Sequence, residues 1–161
     1  MLSSLLFALG SLTTTVSAQP IPPVLAVKAV RFYAPADTQT SVLAVAQIPY
    51  ALAEPAGDRI AWTTTVEVKD RNGQVLLTES WQAGAPAALR IPDAVQVEAL
   101  RFPPMVPGTY RIVVTITDSV SKRVVSAETT VDAFGRSPGL SDLLLASAMR
   151  VAADGDTLLA P

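Results

Sequence analysis

Carboxylates are the only side chains in this chain with the makings of a catalytic group. Histidine and cysteine are absent from all 161 residues. Their absence removes Ser-His-Asp and Cys-His triads, imidazole acid–base catalysis, zinc and iron–sulfur ligation, thiol redox chemistry and c-type haem attachment. A pair of Asp or Glu side chains can still hydrolyse a glycosidic bond. The 14 acidic residues are, however, spread over turns and strand faces without a distinctive cluster. Asp70, Asp118 and Asp132 stand at the ends of hydrophobic runs, where a turn former is expected. No catalytic residue is assigned, and the chain is read as a non-enzyme.

Two stretches have the look of cation ligands. Asp70, Asn72 and Gly73 mimic the opening of a calcium loop, but the twelfth position, where a bidentate glutamate is required, is Trp81. Asp154-Gly155-Asp156 offers two carboxylates, whereas calcium takes about six to eight oxygens. A tight turn and a solvated turn are the readings that follow, and neither a metal nor a cofactor is expected. The 12 Lys and Arg residues against 14 Asp and Glu give a net charge of −2. They are scattered from Lys28 to Arg150, so the concentrated cationic face that nucleic acid demands is missing.

The elements that position these residues are short β-rich runs separated by turns. A hydrophobic content of 50% with 16% charged residues is enough for one core, so one domain with tails is expected. The runs are 24–33, 41–48, 61–70, 75–81, 95–102, 107–118 and 123–131. On the third, Trp62, Thr64, Val66 and Val68 alternate with Thr63, Thr65, Glu67 and Lys69, the pattern of a strand with one buried and one wet face. Asn72-Gly73 supplies the positive φ angles of a tight hairpin. Residues 82–94, rich in Ala and Pro, read as a loop, and Pro103-Pro104 as the end of a strand. Seven such runs predict an all-β fold: an immunoglobulin- or fibronectin-like antiparallel sandwich over residues 24–133. In that fold Trp62 is the core tryptophan. Tyr110, introduced by the bend at Pro107-Gly108, is the tyrosine whose hydroxyl bonds back to upstream backbone.

The ends differ in character. Residues 1–18 carry an apolar stretch around Leu5 to Leu9 and small residues at Val16-Ser17-Ala18, the pattern of a signal peptide cleaved before Gln19. A retained N-terminal anchor touching a membrane is the alternative. As a transmembrane helix the segment is poor, since seven of its 18 residues are Ser or Thr. Residues 19–23 form a Pro-rich extended lead-in. Residues 134–161 form a C-terminal extension whose Leu140, Leu143, Leu144 and Leu145 must be covered by the sandwich or by a partner. An exported chain, periplasmic or membrane-associated on the periplasmic side, is expected.

The order "VEVKDRNGQV", "LRFPPMVPGTYRIVVTITDSVSKR" and "SPGLSDLLLA" resembles the β-sandwich region of bacterial exported proteins named for a GWxTD motif, over roughly residues 24 to 148. The Gly-Trp-x-Thr-Asp residues themselves do not occur. The resemblance therefore implies the sandwich module alone, an exported, noncatalytic β-domain of the cell envelope. The run 24–33 is apolar on both faces through Val24, Val27, Val30, Phe32 and Tyr33. A strand of that kind is either central or covered by another chain or by the tail. These residues and the leucine cluster are the candidate docking surface. The function expected is a structural or accessory subunit docking onto other protein subunits of an envelope or membrane complex. An extrinsic subunit of a photosynthetic reaction-centre assembly would be one example. The alternative is a small-ligand or carbohydrate-binding module that uses Tyr50 and Trp81 as loop aromatics.

Overall fold

The computed structural model describes residues 24–34, 39–136 and 141–142. Eight strands follow one another: β1 (Ala26–Ala34), β2 (Gln39–Pro49), β3 (Pro55–Ala56), β4 (Arg59–Asp70), β5 (Val75–Pro86), β6 (Val95–Met105), β7 (Gly108–Asp118) and β8 (Val124–Ala133). They form two antiparallel sheets packed together. One has the order β1-β2-β6; the other runs β5-β4-β7-β8, with the two-residue β3 paired to the start of β4. The chain is thus an all-β sandwich of the immunoglobulin and fibronectin kind, with β3 as a short addition to the seven principal strands.

Alternation builds the core. Val42, Ala44, Ala46 and Ile48 of β2 face Ile60, Trp62, Val66 and Val68 of β4 and Ile112, Val114 and Ile116 of β7, all buried in one cluster. Trp62 is 1% exposed, the largest side chain to be fully enclosed. The indole Nε1 of Trp62 and the hydroxyl of Thr64 are both buried without a hydrogen-bond partner.

Three expectations from the sequence are corrected here. Residues 82–86 continue β5 instead of beginning a loop, and the loop starts with a single 3₁₀ turn at Ala87–Leu89. Small residues suit this stretch because Gly84 lies opposite Ala61, where a Cβ would come within 2.8 Å of the Ile60 carbonyl oxygen. Pro103-Pro104 does not end β6 either. The register against β2 jumps from Val42↔Phe102 to Thr40↔Met105, so both prolines sit in a bulge on an edge strand, where no ladder donor is required of them. The β4–β5 hairpin, finally, has a positive φ only at Gly73, at +85°, and not at Asn72. Asp70 N–H donates to Gln74 O at 2.9 Å and Gly73 N–H donates to Asp70 O at 3.0 Å. That is a three-residue loop with a left-handed glycine, and the register shift at Val68/Lys69 absorbs the extra residue.

Candidate functional site

The acidic residues that opened the chemical reading act as joints. Asp70 accepts from Asn72 N–H at 2.8 Å and Gln74 N–H at 2.9 Å, which closes the hairpin loop around its carboxylate. Asp132 accepts from the Thr109 hydroxyl at 2.7 Å. Asp118 is 1% exposed at the end of β7. Its carboxylate accepts from Ser121 N–H at 2.8 Å, from the Ser121 hydroxyl and from Glu54 N–H at 3.1 Å. Burial pushes this carboxyl up, but the Ser121 hydroxyl and the amides of Ser121, Glu54 and Val120 together outweigh it and hold it below the ordinary aspartate range. Among the described residues no group of three or more acidic side chains is placed to hold a metal ion. Asp154 and Asp156 lie outside the described residues.

Tyr110, half-buried on β7, donates its hydroxyl to Val106 O at 2.9 Å, four residues upstream. Gly108 opens β7 opposite Ala133. Tyr50 and Trp81 do not form a platform on loops. Tyr50 follows β2 in a 3₁₀ turn with its ring 6.0 Å from that of Trp62, and Trp81 lies within β5, half-buried against the core. Trp81 also donates to Glu98, which sequence reasoning missed. Glu98 pairs with Ala46, so it points between the sheets. Its Oε1 accepts from Gln96 Nε2 at 3.0 Å while its Oε2 is buried without a partner, and burial pushes the carboxyl up. A cleft of about 280 Å³ opens between Val68, Leu76, Phe102, Pro104, Met105 and Tyr110. Its lining is apolar apart from the tyrosine hydroxyl, already bonded to Val106.

The expected docking residues divide between the two faces of β1. Val27 pairs with Ala46 and packs on the core, and Tyr33 pairs with buried Thr40. Val30 and Phe32 point outward with Leu43 and Val45 of β2. Across β2 the same outer face continues into Val95, Val97 and Ala99 of β6. Val97 is 59% exposed and Phe32 36%; Val24, just before β1, is 64% exposed. The charged residues on the strands of this face are Lys28 and Arg101, both cations. The outer face of the other sheet is its opposite. Thr63, Thr65, Glu67 and Lys69 lie beside Gln82, Ser80 and Thr78 on one flank and Thr117, Thr115 and Arg111 on the other. Val113 also lies on this face, flanked in register by Glu67 and Glu128, as do Val75 beside Lys69 and Val124 beside Thr117.

β1 is an edge strand, and a piece of the tail covers part of its edge. Asp142 N–H donates to Arg31 O at 3.0 Å and Arg31 N–H donates to Asp142 Oδ2 at 2.8 Å. The Arg31 guanidinium reaches both carboxylate oxygens at 2.8 Å and donates to Asp132 O at 2.9 Å. The Arg31 side chain holds the Asp142 carboxyl below the usual range against the opposing effect of burial. Tyr33 N–H donates to Ser141 Oγ at 3.2 Å. Phe134 closes the joint, with Arg31 4.7 Å above its ring and Tyr33 edge-on at 6.3 Å. Sequence reasoning overlooked this pair, although period-two counting from Val27 and Ala29 puts Arg31 on the inner face, where a cation demands a partner. Leu140, Leu143, Leu144 and Leu145 lie outside the described residues. Among the described residues no helix is long and apolar enough to cross a membrane. No family model, curated protein or solved structure matches the chain.

Proposed function

We propose that this chain is a noncatalytic, exported β-sandwich that serves as a structural or accessory subunit, docking onto a larger envelope or membrane protein complex. The observation that carries this reading is the contrast between its two outer sheet faces. One is a mainly apolar layer of Val30, Phe32, Leu43, Val45, Val97 and Ala99 with Ser41, Gln47 and two cations, and the other is mainly threonine, serine and charged residues, with Val75, Val113 and Val124 among them. A soluble monomer has no use for a contiguous apolar sheet face, whereas a docking surface is built from one. Lys28 and Arg101 suit a partner with an apolar centre and an acidic rim. The export signal pattern in residues 1–18 and the resemblance to GWxTD proteins support the envelope location. An extrinsic subunit of a photosynthetic reaction-centre assembly is one member of the class.

The test is recovery of the native protein from its own membranes in mild detergent, with mass spectrometry of the partners and of the protein's N-terminus. Phe32→Ser/Val97→Ser is run beside Thr65→Lys, which alters the polar face. Stoichiometric co-purification with membrane subunits, lost in the first variant and kept in the second, is the expected result. A lone monomer, or partners indifferent to the first variant, would overturn the proposal.

A further inference from the structure

We infer that Ser141 and Asp142 form a clasp that guards the free edge of β1 against pairing with a second copy of this chain. This goes beyond the docking reading and uses a different surface, the backbone edge of the sheet instead of its outer face.

The hydrogen-bonding period of a strand fixes which groups are at stake. Arg31 and Tyr33 direct their amides away from β2, to the clasp. By the same period Val27 and Ala29 direct theirs outward. Such an edge templates another strand unless a device blocks it. Of the other edges, β6 carries Pro103 and Pro104 in a bulge and β5 has a register shift at its start and Pro86 at its end, whereas β8, like β1, has neither. β1 has no proline and keeps nine uninterrupted pairs with β2. β8 lies alongside β1 without pairing with it, and what takes the outward groups of Arg31 and Tyr33 is the clasp, whose carboxylate accepts from the Arg31 amide and guanidinium together.

The occupant of a bared edge follows from self-complementarity. A twofold axis at Val30 sets Ala29 opposite Arg31 of the copy and Val27 opposite Tyr33, so every outward amide meets an outward carbonyl. Val30 then meets Val30, a β-branched cross-strand pair, and Lys28 meets the Phe32 ring. No like charges face each other in this register. The two apolar outer faces merge across a six-stranded sheet.

The experiment measures molar mass by light scattering over a concentration series. Wild type is expected to remain monomeric through β1, and Asp142→Ala to reach twice the monomer mass as concentration rises. Adding Ala29→Pro, which removes an outward amide without touching the β2 ladder, should restore the monomer. An Asp142→Ala protein with an unchanged far-UV circular dichroism spectrum that stays monomeric throughout overturns the inference. So does a dimer that persists with Ala29→Pro. Should Asp142→Ala fail to fold, Asp142→Asn keeps an acceptor oxygen and drops the ion pair, and hydrogen exchange reads the clasp directly. Slow exchange at the Arg31 and Tyr33 amides in wild type, accelerated in Asp142→Asn at dilutions where it is monomeric and slowed again as the dimer forms, supports the clasp; unprotected amides in wild type refute it.

Discussion

Removal of the Asp118 carboxylate tests whether the stretch from Pro107 to Asp118 ends in a structural joint. In Asp118→Ala the amides of Ser121 and Glu54 lose acceptors at 2.8 and 3.1 Å, and the Ser121 hydroxyl loses its own. A hydrogen bond to a charged group contributes about 1.5–3 kcal/mol. Ser121 and Glu54 are exposed residues, so water takes over part of what they lose. The expected net cost is about 3 kcal/mol, and about 1.5 kcal/mol for Asp118→Asn, which keeps one acceptor but turns a donor toward Ser121. The pH dependence carries a definite sign. The folded carboxyl lies below its unfolded value of about 3.9. Its stabilisation is therefore complete above about pH 4 and is lost as pH falls through the folded value. Asp142 is lowered in the same sense, so only the difference between wild type and Asp118→Asn isolates Asp118. Urea unfolding at neutral and acid pH, with unchanged m-values, measures it. An Asp118→Ala protein within about 0.5 kcal/mol of wild type would refute the reasoning, as would an acid limb in Asp118→Asn equal to that of wild type.

Two further substitutions probe buried polar atoms. Thr64→Val removes a hydroxyl that is buried with no partner and adds a methyl group to the core. The expected gain is about 1–2 kcal/mol, read as a rise of roughly 4–8 °C in Tm; a fall in Tm would mean that the hydroxyl has a partner after all. Glu98→Gln removes a carboxyl that burial pushes up. A raised carboxyl stabilises the fold at low pH, and that contribution is lost as pH rises through its folded value. The glutamine variant should accordingly melt higher than wild type at neutral pH, with the two Tm profiles converging toward acid; parallel profiles would show that Glu98 does not titrate with folding.

The sandwich was legible because its strands obey period two. Trp62, Thr64, Val66 and Val68 alternate in the sequence and are all buried, and Ile112, Val114 and Ile116 do the same on β7. What escaped was set by partners distant in the chain. Residues 82–86 have weak strand propensity and become strand because β4 offers them a ladder. The two prolines of β6 look like a terminus until the edge position and the bulge are known. Arg31 and Asp142 are 111 residues apart and share no local signal. Glu98 falls on the inner face of an edge strand, where alternation alone tolerates a polar residue at the rim.

The greasy run that the sequence left as either central or covered is neither one alone. Its inner residues, Val27 and Ala29, pack on the core, its outer residues, Val30 and Phe32, join a shared face, and its edge is met by two residues of the tail. These surfaces differ in selectivity. An apolar face recognises a partner by shape and by the placement of Lys28 and Arg101, whereas a bare strand edge accepts nearly any extended backbone. A sandwich that docks by its face gains specificity from blocking its edge, since edge pairing with its own copies competes for the same molecules. On the proposed reading the clasp and the apolar face belong to one logic: association would be directed to the surface on which side chains discriminate.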